Sequence, residues 1–212
     1  MPENPRNPLA IGFLLSGGGR TLENLVHFLG RNPGIARITL VVSDRQGAYG
    51  LERARHLGIP SRVIPCRSPE DSSAVFDALE ESGASHALLG GFLRLLRIPS
   101  PWERRVLNIH PYLIPRFCGK GFYGMRVHEA VIAAGEKESG CTVHFVDNIY
   151  DHGAILLQEK VPVCPEDTPE SLADRVFEAE CRAYPRALEI LARGQIEWRE
   201  GRLRIAEEPT GG

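Results

Sequence analysis

Leu9-Ala10-Ile11-Gly12-Phe13-Leu14-Leu15-Ser16-Gly17-Gly18-Gly19-Arg20-Thr21-Leu22 opens as a short apolar run, breaks at three glycines and passes into a stretch, Leu22 to Leu29, with helical spacing. Strand, glycine loop and helix in that order aim backbone N–H groups and the positive end of a helix dipole at an anion. Arg20 and Thr21 add a guanidinium and a hydroxyl, so Gly18, Gly19, Arg20 and Thr21 are read as the grip on a phosphate monoester. The plainer alternative is a tight turn with no ligand. A dinucleotide fits less well, because G-x-G-x-x-G would need glycine where Leu22 stands.

The same alternation continues outward. Ile38 to Val42 is a second apolar run ending in Ser43-Asp44, and Tyr49 to Leu57 reads as a helix stopped by Gly58-Ile59-Pro60. A strand near Arg62 to Pro65, a helix from Glu70 to Ser82 and a strand at His86 to Leu89 follow. Such a series predicts an α/β, Rossmann-like, mostly parallel sheet covered by helices on both faces. Asp44, at a strand end, suits a ribose hydroxyl or a helix N-cap. Gly90-Gly91-Phe92-Leu93-Arg94-Leu95-Leu96 is richer in apolar residues than a surface loop requires, and reads either as a pocket wall or as core.

Arg105-Val106-Leu107 leads into Asn108-Ile109-His110-Pro111. Side chains alternate along a strand, so Asn108 and His110 face one side with Ile109 turned away. A carboxamide donor and an imidazole at a strand end suit a reaction in which an oxyanion develops and a proton moves. A glycine-, proline- and aromatic-rich loop runs from Pro111 to Gly124, longer than most connections. Arg126 to Ala134 then reads as a helix carrying His128, a packed, capping or catalytic residue.

Cys141 to Val146 and Ala154 to Val163 are two extended stretches expected to pair, an antiparallel element in the C-terminal half. The acids between them, in Asp147-Asn148-Ile149-Tyr150-Asp151, are within reach of the Asn/His pair, and spacing does not choose among them. Thr168-Pro169 starts a long amphipathic helix that ends at Gly194, with a kink expected at Pro185. Glu180 stands one position from its buried stripe. Ile196 to Trp198 and Arg202 to Ile205 suggest a small hairpin before a frayed polar tail.

Hydrophobic and charged contents of 42% and 25%, with a net charge of −2, are those of an ordinary soluble protein and argue against a nucleic-acid surface. No apolar run approaches a membrane span, and Met1-Pro2-Glu3-Asn4-Pro5 lacks the order of a signal peptide, so a cytoplasmic location is expected. The five cysteines form no CxxC pair, which suggests neither a disulfide framework nor a zinc site.

Ser16 to Leu22, Ser43-Asp44 with Gly50 to Ala54, Gly91 to Arg94, Leu107 to Pro111, Thr142 to Val146 and Tyr150 to Gly153, in that order and at those separations, closely resemble the glycinamide ribonucleotide formyltransferases, folate-dependent enzymes of purine synthesis. The likeness spans roughly residues 10 to 195. It implies a single formyltransferase domain over 1–212, with a phosphate-binding half (about 10–108) and a catalytic, folate-binding half (about 109–195). It also implies 10-formyltetrahydrofolate as co-substrate, no metal, small-molecule partners only, and a monomer or homodimer. Asn108, His110 and Asp151 match the family's catalytic trio. Asp151 is then expected to orient the His110 ring and favour its protonated form. Glu180 matches the contact to the glycinamide end, and Phe92, Leu93, Arg94, Leu95, Leu96 and Asn148 match the segments around the pterin. Three departures stand out: Gly19-Arg20-Thr21 where the family often has Gly-Ser-Asn, a longer loop from Phe117 to Gly124 that leaves Lys120 and Tyr123 without a role, and His152 where glycine is common. Sugar-nucleotide formyltransferases share the trio, and a nucleotide-binding Rossmann protein built on the glycine loop and Asp44 is the alternative from another class.

Overall fold

A computed structural model describes residues 7–206; the N-terminal pentapeptide weighed above as a signal and the end of the polar tail lie outside them. Strands β1 (Leu9–Leu15), β2 (Ala36–Ser43), β3 (Ser61–Val63), β4 (His86–Leu89), β5 (Val106–His110), β6 (Glu138–Phe145) and β7 (Ile155–Pro162) form one sheet in the order β3-β2-β1-β4-β5-β6-β7. Pairing is parallel from β3 through β5, while β5–β6 and β6–β7 are antiparallel. Helices α1 (Arg20–Arg31), α2 (Tyr49–His56), α3 (Ser72–Glu81), α4 (Met125–Ala133) and α5 (Pro169–Ala192) connect or cover these strands, and β8 (Ile196–Arg199) pairs with β9 (Arg202–Ile205) as a separate hairpin. The expected mostly parallel sheet with an antiparallel C-terminal part is therefore observed.

The sheet is buried on both faces because β1 is apolar at successive positions. Phe13 and Leu15 join the core beneath α1, α4 and α5, while Leu14 joins that beneath α3. Gly12 lets α3 approach, since a Cβ there would stand 2.1 Å from Leu79 Cδ2. Helix α5 begins as its sequence requires. Thr168 and Ser171 cap each other's backbone, and Pro169 occupies the first turn, where no N–H is needed. It runs through Pro185 as one continuous helix, so the proline does not divide the element.

Strand β1 lies between β2 and β4, which makes the carboxyl ends of β1 and β4 the topological switch point where open α/β sheets leave a crevice. Helix α5 braces that end of the sheet. The buried Tyr184 hydroxyl lies 3.0 Å from the Leu89 carbonyl and 3.1 Å from that of Leu107, bridging the two strands that lead into the crevice. Tyr184→Phe is expected to cost about 1–3 kcal/mol of unfolding free energy, measured by urea denaturation, because it strips a buried hydrogen-bonding group from two carbonyls.

Candidate active site

A cleft of about 710 Å³ opens at the switch point. Gly17 to Thr21 line one end, Gly90 to Arg94 a wall, Asn108 to Pro111 the floor and Gly119 to Arg126 the opposite lip, with Arg45, His128, Tyr150, Asp151, Ala173, Phe177 and Glu180 between them.

The glycine loop enters α1 through Gly19 at φ 76°, left-handed backbone that favours glycine, and no side chain caps the helix. A Cβ at Gly19 would also stand 2.8 Å from Gly50 Cα, so α2 packs directly on the loop. Gly50 N–H donates to Gly17 O at 2.9 Å, and Arg53 Nε donates to Gly18 O at 2.8 Å, which fix the loop from behind. The neighbouring loop is stitched to it by Leu93 N–H donating to Ser16 Oγ at 2.9 Å.

Asn108 and His110 share a face of β5, and the antiparallel register sets His144 opposite Asn108 and Thr142 opposite His110. Asp151, at φ 51°, turns its carboxylate into this group. Its Oδ2 accepts from Gly119 N–H at 2.8 Å and lies 3.5 Å from His110 Nδ1. Its Oδ1 lies 3.6 Å from His144 Nε2 and 3.4 Å from Asn108 Nδ2. Hydrogen-bond partners assign the ring protons. His144 Nδ1 lies 2.8 Å from the Phe145 carbonyl and His110 Nε2 lies 2.8 Å from that of Phe117, so each of these nitrogens carries a hydrogen. Asn108 Nδ2 lies 3.1 Å from His144 Nε2, and His110 turns its Nδ1 toward Asp151 Oδ2.

Burial lowers the His110 pKa from its ordinary value, and the Asp151 charge and the Phe117 carbonyl only partly counter it. Asp151 pulls the ring toward its protonated form, and desolvation outweighs that pull, so the net shift is downward. For Asp151 the balance is reversed. Burial pushes it up, but the His144 hydrogen bond, the His110 charge and the Gly119 N–H together hold it below the usual carboxylate range. His128 is buried, with Nδ1 unpartnered among the described residues, and burial with the nearby His110 lowers its pKa to about 4. Glu180, half-buried in the cleft lining, is raised by desolvation to about 8 against the opposing pull of Arg20.

The remaining sequence-based candidates divide. Gly18, Gly19, Arg20, Thr21, Phe92, Leu93, Arg94 and Glu180 line the cleft. Leu95, Leu96 and Asn148 do not. Leu96 is 2% exposed within the core beside α3, and the carboxamide oxygen of exposed Asn148 accepts from Ile98 N–H at 2.8 Å. Asp44 is neither a cap nor part of the cleft lining. Ala48 is the N-cap of α2, and the buried Asp44 carboxylate accepts from Arg94 Nε at 2.6 Å. His152 pairs with Asp147 at 2.7 Å on the surface, away from the carboxylate it follows. Lys120 and Tyr123 line the lip of the cleft. The residue that sequence reasoning missed is His144. Its signal was present in the alternation Thr142-Val143-His144, but it became meaningful only with the β5–β6 register. Among the described residues no cluster of His, Cys, Asp and Glu is arranged to hold a metal ion, and no helix is long and apolar enough to cross a membrane.

Residues 9–188 match the family model described as formyl transferase. The chain is 38% identical over 205 residues to the chloroplastic phosphoribosylglycinamide formyltransferase of Arabidopsis thaliana, covering 93% of this chain and 70% of that one. It is 43% identical over 197 residues, 90% of this chain, to the trifunctional purine biosynthetic protein adenosine-3 of Gallus gallus, of which it spans only 19%. Among solved structures, glycinamide ribonucleotide transformylase 1 from Symbiobacterium toebii superposes with a TM-score of 0.86 at 36% identity, covering 94% of this chain and 95% of the other. The phosphoribosylglycinamide formyltransferase of Anaplasma phagocytophilum gives 0.85 at 34% identity, with 96% and 97% covered.

Proposed function

The chain belongs to the formyl transferase family, and from that membership we propose that it passes the formyl group of 10-formyltetrahydrofolate to the amine of glycinamide ribonucleotide, a step of purine biosynthesis. On this reading the whole chain works as one catalytic domain, holding the ribonucleotide at the glycine loop and the folate against Phe92, Leu93 and Arg94. The observation that carries the chemistry is the carboxylate of Asp151 set among His110, His144 and Asn108.

Attack of the amine on the formyl carbon forms the new C–N bond and turns the carbonyl oxygen into an oxyanion; the attacking nitrogen gives up a proton, and collapse of the oxyanion breaks the bond to folate N10, which leaves protonated as tetrahydrofolate. Asn108 supplies the oxyanion donor. Its 3.4 Å contact to Asp151 is long, so that hydrogen is the one redirected when the charge develops. His110, neutral and with its hydrogen on Nε2 held by Phe117, presents Nδ1 as the acceptor for the amine's proton, and the resulting imidazolium is stabilised by Asp151 Oδ2. Glu180 faces the amine-bearing end of the ribonucleotide, where a cationic amine stabilises its ionised form.

Mixing the purified protein with both substrates and following tetrahydrofolate formation by absorbance tests the assignment; no product over background would overturn it. A pH profile tests the base. With the His110 pKa depressed, the ring is neutral above the ordinary histidine value and becomes protonated as pH falls, so kcat/KM is expected to hold through pH 7 and drop on an acid limb below about 6.5. An acid limb centred above that value contradicts a desolvated His110.

A further inference from the structure

Asp174, Phe177 and Glu180 follow each other at three-residue intervals along α5, just under one turn apart, beside the first turn of α1. Phe177 and Glu180 line the cleft together with Arg20, the first residue of α1. The Arg20 guanidinium carbon lies 3.8 Å from the centre of the Phe177 ring, and Nη1 and Nη2 each stand 3.4 Å from Asp174 Oδ1. The two helices are held in register next to this pair by Asn24 Nδ2, which donates to Cys181 O at 3.2 Å.

These contacts differ in kind. The carboxylate holds the guanidinium by long contacts, and both side chains are more than half exposed, at 55% and 71%. Such a pair is screened by water and easily exchanged. The ring instead lies under the guanidinium face, a contact that leaves the N–H groups along the edge free to change partner. Arg20 follows directly on Gly19, in the loop that holds the ribonucleotide phosphate under the proposed function. A phosphate dianion there outcompetes a solvated carboxylate, because it offers more charge and a geometry matching the guanidinium fork.

Resting on the proposed function, we infer that Phe177 and Asp174 are positioning residues for substrate phosphate: Phe177 is the platform that keeps Arg20 aimed at the loop, and Asp174 is the resting partner that the phosphate displaces. The two residues therefore act with opposite sign, which a static brace between α1 and α5 would not produce. The arrangement also measures the substrate, with an anion required beside Phe177 and an amine beside Glu180 on the same helix face.

The test measures inorganic phosphate binding by titration calorimetry and steady-state kinetics with glycinamide ribonucleotide in Phe177→Leu, Phe177→Tyr and Asp174→Asn. Loss of the cation–π platform in Phe177→Leu is expected to weaken phosphate binding and raise KM about tenfold with kcat held within about twofold, and Phe177→Tyr to restore both. Asp174→Asn is expected to tighten phosphate binding by about twofold to threefold, since a competitor is removed. Unchanged phosphate affinity in Phe177→Leu overturns the inference, as does weaker binding in Asp174→Asn. If the wild-type protein binds phosphate in the expected pattern but transfers no formyl group, the inference stands and the proposed reaction falls. If it transfers formyl and the variants bind phosphate like wild type, the reverse holds.

Discussion

Asp151→Asn lowers formyl transfer by about 10³-fold while the protein remains folded, a loss within the range of general acid–base effects. Among the described residues the carboxylate is the one group facing His110 Nδ1 and His144 Nε2 at once, at 3.5 and 3.6 Å. An amide is nearly isosteric and can still accept from Gly119 N–H, so the turn through φ 51° survives. What disappears is charge. The imidazolium formed when His110 takes the amine's proton then stands in a site with 4% side-chain exposure and no counter-ion. That cost falls on the transition state alone, so kcat drops more than KM rises. A second consequence follows from the sign of the coupling. Asp151 pulls the His110 pKa upward against burial, so in the variant the residual activity has its acid limb at lower pH than in wild type. Stopped-flow assays across pH 5 to 8 read both effects, and circular dichroism reads the fold. A variant with more than a tenth of wild-type kcat, or with its limb moved to higher pH, means that Asp151 is not the counter-charge to His110.

Whatever depends on local pattern is legible in the sequence alone. The apolar runs at β1, β2 and β4, the glycine stop at Gly58 and the Thr168-Pro169 cap each carry their own physics, and the elements begin and end close to where those residues place them. The shared face of Asn108 and His110 is legible for the same reason, since period two is a property of one strand. The pairings across the sheet are not. His144 reaches Asn108 only through the β5–β6 register, and nothing in either strand alone specifies it. Asp44 and Arg94, 50 residues apart, look like separate ligand contacts in sequence and prove to be one another's partner, because a buried carboxylate takes the nearest guanidinium. Leu96 and Phe92 have similar surroundings in sequence and both join the core beside α3, yet Phe92 also lines the cleft and Leu96 does not. A run of apolar residues states how much surface is to be buried and leaves its direction to tertiary packing. The His110 pKa belongs to the same class: an opposing carboxylate is foreseeable, the extent of desolvation is not.

Asn108→Ala is expected to lower kcat by about 10²–10³-fold, the loss seen when a single donor to an oxyanion is removed from a preorganised site. The substitution should leave binding of the ribonucleotide phosphate alone, because the glycine loop and Arg20 lie at the other end of the cleft. It also removes the amide that packs 3.1 Å from His144 Nε2, whose ring is 2% exposed, so a stability loss of about 1–2 kcal/mol accompanies it. The two effects separate experimentally. Urea melting reports the second, and kcat measured well below the melting transition reports the first. Because Asn108 Nδ2 contacts the very oxygen of Asp151 that faces His144, the two residues form one device, and their losses must not add. The double variant Asn108→Ala with Asp151→Asn is expected to be less impaired than the product of the single losses, by about tenfold or more. Strict additivity would mean that the amide and the carboxylate act on separate steps, and the single charged cluster at the end of β5 would then have to be divided into two independent functions.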